Sequence, residues 1–331
     1  MRLLQHSLTW LVACTVFTPA WAGNIIAPVM AQRGDVPVEL VHIPAGTFYM
    51  GSDKVETDNK ATEFGSTKPW YMDEHPRHSV TLPEYWIDKF EVTNAQYREY
   101  VALTKAPPPD YWLQNGYIFR LRMDALGNLP VEKLRALAVK IFRIDADTRT
   151  MPREQLVDII RKRLIYLDQV PVTFVSWYDA DAFCKWAGEH LPTEEEWERA
   201  ARGTDEQEFP WGNDWKPGLS HTGQEEWDSG AAPVGSYATD HSPEGVMDLA
   251  GNVSEWVADW YAAYPESDYQ SKDFGKHFKV VRGAGWSGSM GHYALQLFQR
   301  GAYRYNLPPD GHFDDVGTRC ATESRVQYAK H

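Results

Sequence analysis

Long apolar runs are missing from this sequence. The one near its start, Leu8 to Phe17, falls short of the roughly 20 residues that span a bilayer, and no later segment is better suited. Basic charge is also in short supply: 33 Lys and Arg against 46 Asp and Glu give a net charge of −13. A surface of that sign repels nucleic-acid phosphates and anionic lipid, so neither is expected as a partner. Internal repeats and low-complexity tracts are absent, which leaves a globular reading. Cysteine is rare, with Cys14, Cys184 and Cys320 alone.

What is present begins at the N-terminus. Arg2, the short apolar run and Ala20-Trp21-Ala22 have the layout of a secretory signal peptide over residues 1–22, with Gly23 as the new first residue. A periodic pattern is weak from 23 to 36, which reads as a flexible lead-in. The expected location is periplasmic or secreted. Leu11-Val12-Ala13-Cys14 also fits a lipoprotein processing site, an alternative that would tether the chain at Cys14. Removal of the leader leaves two cysteines in an oxidising compartment, where a disulfide is the default and two separate buried thiols the alternative.

Gly, Pro and Trp are plentiful (24, 21 and 14) and point to many turns and short elements packed through aromatic rings. Val41 to Met50 reads as strand with a turn at Pro44-Ala45-Gly46, Ser52 to Tyr71 as loop, and Ser79 to Leu82 and Tyr85 to Val92 as strands. Thr93-Asn94 caps a helix. Residues 106 to 169 look like an insertion. Pro130 opens a helix with Val131, Leu134, Leu137, Ala138 and Ile141 on one face, and Pro152 opens another with Leu156, Ile159, Ile160 and Leu164. The pair, 130–167, is rich in Lys and Arg, including Arg161-Lys162-Arg163; a solvated basic face and a partner-docking surface are the two readings. Asp145 and Asp147 start like an EF-hand loop, but the glycine is missing and Arg149 occupies a ligand position, so calcium is not expected there. Val170 to Ser176 reads as a buried strand, Tyr178 to Ala187 as a helix, and Thr193-x-x-Glu196 as a capping box over Trp197, Ala200 and Ala201.

Eight segments then arrive in one order. They are Ile43-Pro44-Ala45-Gly46-Thr47-Phe48-Tyr49-Met50-Gly51-Ser52, Glu91-Val92-Thr93-Asn94, Pro171-Val172-Thr173-Phe174-Val175-Ser176-Trp177 and Leu191-Pro192-Thr193-Glu194-Glu195-Glu196-Trp197-Glu198. Pro210-Trp211-Gly212-Asn213, Gly251-Asn252-Val253-Ser254-Glu255-Trp256, Val281-Arg282-Gly283-Ala284-Gly285-Trp286 and Gly317-Thr318-Arg319-Cys320 follow. Together they resemble the formylglycine-generating enzyme, or sulfatase-modifying factor, family from about Val41 to Ala321, apart from the insertion. The resemblance implies an α+β fold, a variant of the C-type lectin fold with little regular structure, over 37–325 and a tail at 326–331. It also implies that Cys184 and Cys320 pair.

One departure is decisive. Members that generate formylglycine place two cysteines just after the Arg-Gly-Gly-Ser-Trp-like strand, where the thiolates bind copper(I), a soft ion suited to sulfur. Here Ser287-Gly288-Ser289-Met290-Gly291-His292-Tyr293-Ala294 contains none. By position in the family cleft the candidate catalytic groups are His292 for proton transfer, Tyr293 as a donor to an oxyanion, and Arg300 and Arg304 as carboxylate clamps. His312, Asp314 and Asp315 approach through the last loop. Gly283, Gly285, Gly288 and Gly291 suit either close ligand approach or a tight bend. No His-x-x-x-His spacing is present, so no redox metal is assigned. For calcium, the resemblance supplies Asp248 and Glu255 by side chain and Gly251 and Val253 by carbonyl, all hard oxygen donors.

The expected function is an exported, oxidoreductase-like modifying enzyme acting on a peptide or peptide-derived small molecule without a copper-thiolate pair. One cysteine-lacking branch of the family, which oxidatively completes a pyoverdine chromophore, is similar in compartment and in the lost cysteines. The alternative is a non-catalytic accessory module that holds a ligand or partner in the lectin-like cleft.

Overall fold

The computed structural model describes residues 29–63, 69–223, 230–289 and 295–323, and among these described residues ten strands in three sheets carry the fold. The strands are β1 (Val29–Arg33), β2 (Val36–Ile43), β3 (Gly46–Met50), β4 (His78–Leu82), β5 (Tyr85–Asp88), β6 (Ser254–Trp260), β7 (Lys279–Arg282), β8 (Tyr305–Leu307), β9 (Val316–Thr318) and β10 (Ala321–Thr322). One sheet runs β1-β2-β5-β10 and another β8-β7-β6-β9, while β3 and β4 form a ribbon. All pairings are antiparallel except β6 with β9. Because β10 pairs with β5, the last described strand joins the sheet that holds the first. The fold is of the mixed α+β kind expected.

Local signals explain the starts of three helices. Thr93 and Gln96 form a reciprocal capping box at the Asn94–Thr104 helix, and Ser176 with Asp179 and Thr193 with Glu196 do the same for Trp177–Trp186 and Glu194–Arg202. In the last of these Trp197, Ala200 and Ala201 are buried, as their spacing predicts. The signal peptide, Cys14 and the 326–331 tail lie outside the described residues.

Three readings need correction. Residues 29–33 of the lead-in form β1, because Arg33 is drawn inside by Asp88, at 2.8 Å, and by Glu189. The segment Val170 to Ser176 is buried but is not a strand. Its N–H groups reach separate partners, Val172 to the Val92 carbonyl and Phe174 to that of Phe313, and Phe174 turns left-handed at φ 57°. That residue breaks the period-two alternation a ladder needs. Tyr85 to Val92 is strand only to Asp88.

The insertion shares the main core. Leu134, Ala138, Leu156, Ile160 and Leu164 sit in the same buried cluster as Tyr97, Trp112, Phe183 and the two cysteines. Its docking is polar as well. Asp168 accepts from Arg98 (2.6 Å), from the Tyr117 hydroxyl and from Arg120. Asn94 accepts from the Trp112 indole at 2.7 Å and donates to the Leu167 carbonyl at 3.0 Å, so the first capped helix is tied to both ends of the insertion.

Cys184 and Cys320 are bonded, with Cα atoms 5.6 Å apart. The bridge links the Trp177–Trp186 helix to the closing segment and consumes both sulfurs.

Candidate functional site

Of the four candidate catalytic residues, His292 and Tyr293 lie outside the described residues. Arg300 and Arg304 are described, and both are buried in internal ion pairs, which corrects their reading as substrate clamps. Arg304 donates to Glu194 (2.6 and 2.9 Å) and to the carbonyls of Asp73 and Ala262. Arg300 donates to Glu74 at 2.7 Å and to Glu208. Arg282 joins the lattice, bonding Glu194 at 3.0 Å and Glu198 at 2.6 Å. The reason is the capping box: it starts a helix whose buried acids, Glu194 and Glu198, face inward, and buried acids need cations.

The segment after β7 does approach the last loop. The Trp286 indole donates to the Asp314 carbonyl at 3.1 Å and Ser287 bonds the Asp315 carboxylate. A Cβ at Gly285 would lie 2.9 Å from Asp315, so that glycine serves close packing of the two segments. His312 points elsewhere, 3.6 Å from Asp179.

Where this corner meets the insertion, a cavity of about 460 Å³ opens, inside the roughly 300–1,000 Å³ of small-molecule sites. The main fold contributes Asn94, Thr173, His221, Trp286 and Asp314; the insertion contributes Tyr111, Gln114, Arg143, Arg163 and Tyr166. Tyr111 stacks on Phe174, with ring centres 4.9 Å apart. Burial raises the pKa of its hydroxyl; Asp314 adds to the rise, and Arg143 and Arg163 oppose it. The phenol therefore stays protonated at neutral pH and can donate a hydrogen bond. Asp314 is itself shifted upward by burial and by Asp315. Among the described residues Arg143, Arg163 and Asp314 are in no ion pair. Sequence reading missed Tyr111, Arg143 and Arg163; the available signal was the excess of Arg in the insertion of an acidic chain.

The residues assigned to calcium form part of a second, fully buried cluster. Asp248, Glu255, Glu91 and Asp240 lie close together, and Arg319 is the cation that opposes them. Both Glu255 oxygens accept from Arg319 at 2.7 Å, and one also accepts from the Trp197 indole. Asp248 accepts from the Gly235 N–H at 2.6 Å. Burial pushes Asp248 up to about 6 and Glu91 and Asp240 well above the carboxylate range. Four acids against one guanidinium leave negative charge that only protons or a hard cation can neutralise. Carboxylates are the hard oxygen donors such a cation takes, and the Val253 N–H reaches the same cluster, bonding Glu91 at 3.4 Å.

With this geometry in view, residues 27–324 match the sulfatase-modifying factor enzyme 1-like domain family. The inactive C-alpha-formylglycine-generating enzyme 2 of Bos taurus is 32% identical over 306 residues, covering 86% of this chain and 88% of its own. Hercynine oxygenase of Mycolicibacterium smegmatis is 27% identical, over 86% of this chain and 62% of its own. Among solved structures, PvdO from Pseudomonas aeruginosa superposes with a TM-score of 0.56 at 22% identity, over 90% of this chain and 99% of its own, a likeness of fold.

Proposed function

Because the chain belongs to the sulfatase-modifying factor enzyme 1-like family, we propose that it is an exported modifying enzyme of oxidoreductase type. Its substrate is a peptide or peptide-derived small molecule bound in the cavity beside Trp286, and its chemistry uses no copper-thiolate pair. The observation that carries this reading is an inventory of sulfur. Copper(I) capture of the family's kind takes two thiolates, whereas Cys184 and Cys320 are bonded to each other and the whole sequence has one further cysteine, Cys14. What the cavity offers instead is a half-buried phenol, a carboxyl of raised pKa and two arginines, groups that bind, orient and move protons. The oxygenase among the relatives supports an oxidative reaction. The disulfide supports export to the periplasm or beyond. Proton transfer by His292 and hydrogen-bond donation by Tyr293 belong to this proposal.

Calcium is the proposed structural ion, held by the side chains of Asp248 and Glu255 and the carbonyls of Gly251 and Val253. The excess buried negative charge supports it. The chemistry such an ion supplies is charge neutralisation alone; a site of this kind adds stability that EDTA removes, about 2.7 kcal/mol at a free concentration one hundred times Kd.

A second reading, a non-catalytic binding module, draws on the Bos taurus relative, which is named inactive, and on the internal engagement of Arg300 and Arg304. One experiment separates the two. Purified mature protein is incubated under air with a peptide-rich extract and all species are followed by mass spectrometry. A compound whose mass changes with wild type and not with Trp286→Ala or His292→Ala supports the enzyme. Retention of a compound at unchanged mass supports the module, and neither result overturns both.

A further inference from the structure

The insertion does more than fill space, because it brings two guanidinium groups to the cavity from different elements. The Val131–Ala136 helix continues into a wide π turn, Leu137–Ile141, closed by the Phe142 N–H on the Leu137 carbonyl at 2.9 Å. Arg143 follows at φ 46°, in the left-handed conformation that glycine usually supplies after a helix. A side chain there costs about 1 kcal/mol, and Phe142 holds the chain in that path. Phe142 is buried against Gly116, where a Cβ would lie 2.6 Å from the ring. Arg163 comes from the Arg153–Asp168 helix and lies over the Tyr166 ring, 4.6 Å from its centre. Both arginines are exposed, both line the cavity, and neither is in an ion pair among the described residues. Both therefore border the space a ligand enters without a carboxylate among the described residues paired to neutralise them. Asp314 lines the same cavity and disfavours a dianion such as phosphate.

We infer that the insertion makes this cavity a carboxylate site, in which Arg143 and Arg163 hold an acidic group of a peptide or peptide-derived ligand. Paired guanidinium donors match the planar, two-oxygen geometry of a carboxylate. The inference rests on the cavity beside Trp286 being the ligand site.

The test is calorimetric titration of the mature protein with four probes. They are acetyl-Gly-Glu-Gly-amide, acetyl-Gly-Gln-Gly with a free C-terminus, acetyl-Gly-Gln-Gly-amide and inorganic phosphate. The first two separate a side-chain from a terminal carboxylate, and at least one of them is expected to bind about tenfold or more tighter than the neutral amide. Arg143→Ala with Arg163→Ala should abolish that preference, while Arg161→Ala, on the same helix and outside the cavity lining, should keep it. Equal affinity for acidic and neutral peptides overturns the inference and leaves the cavity reading standing, since a peptide still binds. Phosphate binding tighter than either carboxylate, or a preference that survives loss of both arginines, also overturns it. Binding of none of the four overturns the inference together with the cavity reading.

Discussion

Arg304 reaches Glu194 across 110 residues of sequence, and this distance is why its role was hidden. An arginine after a glycine-rich strand looks the same in sequence whether its partner is a substrate or a helix elsewhere in the fold. The capping box at Thr193 was legible, yet nothing local says that Glu194 turns inward. Arg304→Ala would strand part of a buried carboxylate and should lower stability by about 3–5 kcal/mol, read from denaturant unfolding. Little change would mean that Arg282 alone suffices for Glu194. Asp259 gives a prediction in pH. Burial, and then the Glu194 charge, push its carboxyl up to about 6 from 3.8, while the Glu194 N–H bonds it at 2.6 Å. Since the folded state binds this proton more tightly than the unfolded one, the stabilisation is complete below about pH 4 and lost as pH rises through 6. Asp259→Asn should therefore gain on wild type between pH 4 and 7, by at most about 3 kcal/mol. Thermal midpoints at the two pH values check it, and a constant difference would contradict it.

At the scale of elements, the helices of the insertion were legible because Pro130 and Pro152 mark their starts and their apolar residues keep helical spacing. Their placement was not, because it depends on single polar residues. Asp168 gathers Arg98, Tyr117 and Arg120, and Asn94 bridges Trp112 and Leu167. Asp168→Ala leaves two guanidinium groups and a phenol without their common acceptor. Faster amide exchange is expected across 106–169, with the β6–β7 pair protected as before; uniform protection would show that apolar packing alone docks the insertion. The same dependence on distant partners explains Val170 to Ser176. Its apolar alternation signals burial correctly, but each N–H finds a different neighbour, so burial came without a ladder.

On the scale of the whole molecule, eight ordered motifs made the family legible, and the α+β architecture followed. The core shared with the insertion, and the cavity between them, lay beyond reach because no motif spans both. The Cys184–Cys320 bond closes a loop of 136 residues, worth about 5 kcal/mol in the chain-entropy description and often less in practice. Cys184→Ala with Cys320→Ala should lower the unfolding midpoint while leaving peptide affinity in the cavity unchanged, since neither sulfur lines it; parallel loss of both would contradict that separation.

The missing thiolates bear on everything proposed for the chemistry. Mature protein incubated with a Cys-x-Pro-x-Arg peptide, copper(I) and oxygen should return the peptide at its original mass. Conversion of the peptide cysteine to an aldehyde, dependent on both protein and copper, would contradict the thiol-free reading at its root.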